Sequence, residues 1–151
     1  MANVVLIGAT GFVGSAILNE LLSRGHKVTA VVRNAAKLPQ NDNLTAVEED
    51  VANVDAIANI AKGKDAVISS YNPGWNNPQM GKINDENYPK IVEAVKKSGV
   101  QRLLIVGGAG TLFVKPGVRV VDTGGIPDAI IDGVRSLGNF YLNFLTKEHD
   151  L

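Results

Sequence analysis

Val4-Val5-Leu6-Ile7-Gly8-Ala9-Thr10-Gly11-Phe12-Val13-Gly14 is the stretch whose reading decides the fold. Its first four residues are apolar without a break, as a strand covered on both faces of a parallel sheet should be. Beyond the glycines, Val13, Ile17, Leu18, Leu21 and Leu22 recur at helical spacing. The order is therefore strand, glycine turn, helix, and in that order each glycine has a physical reason. Gly8 lets the chain leave the strand through a tight turn. Gly11 has no Cβ, so a pyrophosphate can approach the backbone, and Gly14 lets the helix pack close to the strand. The free N–H groups and positive dipole end of the helix then face the phosphates. Thr10, Phe12 and Val13 frame the same loop. The spacing is G-x-x-G-x-x-G, one residue wider than the usual dinucleotide fingerprint.

Working outward, Gly25 caps the first helix and Lys27 to Val32 reads as a second strand, giving a right-handed βαβ unit. An NAD-selective site carries an acid near the end of this strand to bond the ribose 2′-hydroxyl. Here the residue is Arg33, nineteen positions beyond Gly14. A guanidinium there pairs with a 2′-phosphate, so NADP is the expected cofactor and NAD the alternative, with Asn34 and Lys37 as helpers. The competing reading of Arg33 is a solvated side chain at a strand end.

Ala35 to Gln40 reads as a short helix stopped by Pro39, Leu44 to Val47 as an edge-like third strand, and Asn53 to Lys62 as an amphipathic helix. Asp65 to Ser70 is a fourth strand. It lies beside the first across the topological switch point, where open α/β sheets bind ligands, so Ser69, Ser70 and Tyr71 are expected at the cleft mouth. The loop Asn72 to Gly81 carries the single Trp, Trp75, either a stacking platform or an anchor for the loop. Ile83 to Ser98 reads as a helix that Pro89 either starts or kinks. A fifth strand, Arg102 to Val106, feeds Gly107-Gly108-Ala109-Gly110-Thr111, which is expected by the nicotinamide. Phe113 to Val121 reads as a small extended excursion. Pro127 to Leu145 reads as a helical region interrupted by Gly133 and Gly138. The fold class is α/β: a Rossmann-like doubly wound parallel sheet of about five strands, order 3-2-1-4-5, in one domain over residues 1–151.

Composition narrows the function classes. Lys+Arg and Asp+Glu each number 15, so the formal net charge is zero, and nothing suggests a nucleic-acid footprint. With 45% hydrophobic and 20% charged residues the chain reads as globular. It has no cysteine, and His26 and His149 are far apart, which argues against a disulfide framework or a zinc site. No stretch approaches the ~20 apolar residues of a membrane span, and the N-terminal apolar run is too short for a signal peptide. A cytoplasmic protein is expected.

The glycine loop resembles the cofactor loop of the extended and atypical short-chain dehydrogenases/reductases. Within them it is similar to the NAD(P)H-binding group of NmrA-like proteins, biliverdin-IXβ reductases and NADH-flavin reductases. Arg102-Leu103-Leu104-Ile105-Val106-Gly107-Gly108-Ala109-Gly110-Thr111-Leu112 resembles that group's fifth strand and following loop. The resemblance implies a nicotinamide cofactor and leaves the substrate open. It implies that Asp50 accepts from the adenine amine while Val51 packs on the ring. The alternative for Asp50 is a cap on the next helix. Ser69, Ser70, Gly107 and Gly108 are implied at the nicotinamide end.

The superfamily's usual Tyr-x-x-x-Lys pair is missing: Trp75, Val92 and Leu145 stand at the Lys position after Tyr71, Tyr88 and Tyr141. Thr111 and Ser70 are the remaining candidate catalytic hydroxyls. Flavin reduction demands less of the protein, because a hydride donor need only be held against an electrophilic ring. The expected activity is thus NADPH-dependent reduction of a small flavin-like or otherwise conjugated acceptor. A non-catalytic NmrA-like sensor and an epimerase/dehydratase relative are the alternatives. Relatives are expected to continue with another strand to ~200 residues by the domain-size norm, so the chain reads as a short or truncated member. The open edge at strand five would then be covered by a second copy or by a terminal segment.

Overall fold

A computed structural model describes residues Met1–Leu151. The elements in chain order are β1 (Asn3–Ile7), α1 (Phe12–Ser23), β2 (Lys27–Val32), β3 (Leu44–Glu48), α2 (Val54–Ala61) and β4 (Ala66–Ser69). They continue with α3 (Met80–Ser98), β5 (Leu103–Ile105), β6 (Phe113–Lys115), β7 (Val118–Arg119) and α4 (Asp128–Asn143). The chain divides into two compact units: residues 1–71, 90–106 and 150–151, and residues 72–89 and 107–149.

The first unit is a five-stranded parallel sheet of order β3-β2-β1-β4-β5. Strand side chains alternate between faces, and this divides the apolar residues into two cores. On one face Val5, Ile7, Val31 and Val67 pack with Ile57, Ala58 and Ala61 of α2 and with Ile91, Ala94 and Val95 of α3. On the other, Leu6, Val28, Ala30 and Val32 pack with Leu18 of α1. Both faces of β1 and β2 are thereby closed, which explains the apolar residues at successive positions in Val4–Ile7 and Ala30–Val32. The order reverses between β1 and β4, so the C-terminal ends of those two strands open the crevice where such sheets take ligands.

In the second unit, β6 and β7 form an antiparallel hairpin, with the Arg119 guanidinium 4.3 Å above the Phe113 ring. There α4 packs on residues 80–89 of α3. A Cβ on Gly133 would stand 2.6 Å from Met80 Sδ, and one on Gly81 would stand 3.1 Å from the Asp132 carbonyl oxygen. Ser136 donates to the Gly81 carbonyl at 2.9 Å and also contacts the Asp85 carboxylate. The Tyr88 and Phe140 rings lie 5.1 Å apart.

The structure corrects several sequence expectations. The third helix begins at Met80, and Pro89 sits inside it rather than in its first turn. Tyr88 and Ile91, 2% and 0% exposed, show why: burial on either side of the proline outweighs its lost hydrogen bond. The last helix runs unbroken through Gly133 and Gly138, whose missing side chains admit Met80 and Thr111. The segment after Arg33 is a single 3-10 turn, Ala35–Lys37, rather than a helix reaching Gln40. No helix is long and apolar enough to cross a membrane.

Candidate functional site

The glycine turn is built as its sequence demands. Gly8 has φ +81°, a backbone region that side chains disfavour. Its N–H donates to the Val31 carbonyl at 3.2 Å, and its carbonyl accepts from Gly11 N–H at 3.2 Å. A Cβ on Gly14 would stand 1.9 Å from the Gly8 carbonyl oxygen, so only glycine lets α1 start this close to β1. Gly11 is the N-cap of α1 and gives no side-chain cap, and the first turn holds no acidic residue. A helix's first amides have no carbonyl one turn back, so those of Phe12 and Val13 face outward without an internal partner. Phe12 is 96% exposed and Val13 43%. An uncapped helix start behind a turn with no Cβ to block the approach fits a diphosphate.

Ser70 closes this turn from the neighbouring strand. Its N–H donates to the Ile7 carbonyl at 3.0 Å. Its hydroxyl lies 3.0 Å from that oxygen and 3.2 Å from the Gly8 carbonyl oxygen. The hydroxyl proton is therefore committed to the loop, which does not suit Ser70 to the catalytic role expected of it. Ser69 is 0% exposed, and its hydroxyl accepts from Tyr71 N–H at 3.3 Å. It supports the strand end from within and offers no surface to a nicotinamide.

Arg33 follows β2, exposed and without a carboxylate in ion-pair range. Asn34 caps the next turn with its carbonyl oxygen, which accepts from Ala36 N–H at 3.0 Å, and its amide nitrogen remains a donor. Lys37 is exposed one turn on. Glu48 Oε1 accepts from Ala35 N–H at 2.9 Å. Asp50 does not cap α2: its Oδ1 accepts from Ala52 N–H at 2.8 Å, and Asn53 supplies the cap. Asp50 faces solvent, whereas Val51 is 8% exposed and belongs to the core, which leaves only its edge for a ring.

The remaining predicted residues lie in the second unit. Gly107 is exposed, with open space where a Cβ would stand, and a Cβ on Gly108 would meet Leu137 at 3.3 Å. Thr111 ends a 3-10 turn. Its carbonyl accepts from the Arg119 guanidinium, and its methyl group would lie 3.1 Å from a Cβ on Gly138. Trp75 is 53% exposed at the tip of a turn closed by Asn77 N–H on the Gly74 carbonyl at 3.0 Å. Sequence reasoning missed the Ser70 hydroxyl's bonds to the loop. Its only signal was a small polar residue where the fourth strand's apolar run stops.

Comparison with known proteins agrees with this geometry. A family model described as NAD(P)H-binding matches residues 8–127. The YwnB protein of Bacillus subtilis is 37% identical over 124 residues, covering 81% of this chain and 55% of its own length. A proposed epimerase from Bacteroides thetaiotaomicron superposes with a TM-score of 0.90 at 49% identity, over 99% of this chain and 67% of that one. A proposed NADH-flavin reductase from Streptococcus pneumoniae gives 0.78 at 27% identity, over 100% and 69%. The chain thus spans a little over half of that curated relative and about two thirds of these structures. With the uncapped glycine turn at the sheet's switch point and a family match over most of its length, the chain belongs to the NAD(P)H-binding family of the extended short-chain dehydrogenase/reductase superfamily.

Proposed function

We propose that the chain is an NADPH-dependent oxidoreductase acting on a flavin-like or other conjugated small-molecule acceptor. The observation that carries the reading is the uncapped glycine turn followed, one strand later, by an exposed Arg33 with no carboxylate in ion-pair range. The amides after Gly11 hold the diphosphate, and the Arg33 guanidinium pairs with the ribose 2′-phosphate, helped by the Asn34 amide and Lys37. Asp50 keeps an oxygen for the adenine amine. Gly107 and Gly108 remain the candidates for the nicotinamide end, and Thr111 the candidate catalytic hydroxyl. A bound reduced nicotinamide supplies the hydride. With no Tyr-x-x-x-Lys pair in the sequence, the acceptor must be one that takes a hydride without a strong protein acid, which favours conjugated rings over simple carbonyls.

The missing pair also favours a second reading, a sensor that binds NADP(H) and turns nothing over. The test is to mix the protein with NADPH or NADH and FMN and follow absorbance at the reduced-nicotinamide band. Faster loss of NADPH than of NADH supports the oxidoreductase. Binding without turnover moves the assignment to the sensor.

A further inference from the structure

We propose that Ser70 is a positioning residue for the diphosphate loop, a latch that holds the loop's carbonyls away from the anion. The proposal rests on the reading that the glycine turn binds a nucleotide, and it goes beyond that reading by assigning what keeps the turn ready. A glycine turn offers amides to phosphate, and its hazard is a carbonyl that swings toward the same anion. The peptide plane after Gly8 is prone to this, because glycine leaves its backbone torsions the least restricted.

Three contacts oppose the swing. The Gly8 carbonyl oxygen accepts from Gly11 N–H at 3.2 Å and lies 3.2 Å from the Ser70 hydroxyl. It is also wedged against buried Gly14, 1.9 Å from where a Cβ would stand. The Ser70 hydroxyl has one proton to donate, shared between this oxygen and the Ile7 carbonyl oxygen at 3.0 Å. Ser70 fills the space that both glycines leave: its Oγ is 2.7 Å from the Cβ position of Gly14, and its carbonyl oxygen is 2.9 Å from that of Gly8. One residue directly after β4 thus ties the end of β1, the turn and the first turn of α1 together. A loop formed before the ligand arrives spends less of its binding free energy on ordering.

The test is Ser70→Ala, read by calorimetric titration with ADP-ribose and by amide hydrogen exchange of Gly11 against Leu6. One lost hydrogen bond predicts an ADP-ribose Kd raised about tenfold. Gly11 N–H, whose acceptor is the latched carbonyl, should exchange faster while Leu6, in the core strand, keeps its rate. An unchanged Kd would overturn the proposal. So would a weaker Kd accompanied by equal acceleration at Leu6 and Gly11, which would mean general loosening. If the unaltered protein itself fails to bind ADP-ribose, the nucleotide reading fails first and the latch falls with it.

Discussion

At the scale of single residues, Gly14 and Arg33 carry the account. A Cβ on Gly14 meets a backbone oxygen, which cannot move aside as the tip of a flexible side chain would. Gly14→Ala is therefore expected to lose about 1–3 kcal/mol of stability by overpacking and to abolish measurable NADPH binding. Thermal melts with and without nucleotide check both parts. Arg33→Asp replaces a partner for the 2′-phosphate with a like charge. The charge-assisted bonds predict an NADPH Kd raised about 10–100-fold and an NADH Kd nearly unchanged. Equal effects on the two nucleotides would remove Arg33 from the site. The turn's geometry was legible because Gly8, Gly11 and Gly14 sit between an apolar run and a helical period, and few other arrangements require that pattern. The places of Ser69 and Ser70 were not. Strand alternation says that they point to opposite faces, but not which hydroxyl meets a carbonyl from a strand more than sixty residues earlier.

At the scale of elements, the sequence made β1 and β2 legible, since Gly8 and Gly25 bound apolar runs that have no helical alternative. It misled where glycine and proline serve packing instead of chain direction. Gly133 reads as a break in the last helix, yet it admits Met80 between α3 and α4. Gly133→Val is expected to cost about 1–3 kcal/mol by overpacking. Because the obstructing group is a flexible methionine, Met80→Ala in the same chain should recover part of the loss, as chemical denaturation would show.

The α3 C-terminus is tied to α2 by the Lys97–Asp55 ion pair. The hydrogen bond to Asp55 comes first, and its charge second, in raising the Lys97 ammonium above its ordinary value. A raised folded-state pKa adds stability below the unfolded value, and that contribution is lost as pH rises through the folded value. Asp55→Asn should therefore leave stability at strongly alkaline pH almost unchanged and lower it slightly near neutrality. The pair is exposed, so high salt should erase the difference.

At the scale of the whole chain, neutral charge and an open sheet edge bear on association. The β3 edge is guarded by polar Thr45 and Glu48, whereas β5 presents Leu104 at 49% exposure. An edge strand with an uncovered apolar residue favours pairing with a second copy. Sedimentation equilibrium is expected to show a concentration-dependent dimer that Leu104→Lys abolishes. A monomer at every concentration would contradict it. The order 3-2-1-4-5 was legible because strands and helices alternate along the chain and crossovers keep one hand. The division into two compact units was not, because Pro89, where it falls in α3, reads in sequence as a helix start or a kink.

The most direct test of the central claim, that the glycine turn holds a nicotinamide dinucleotide, is calorimetric titration of the chain with NADPH beside NADH. The account predicts saturable one-to-one binding with NADPH the tighter ligand. Absence of binding by either nucleotide would contradict it.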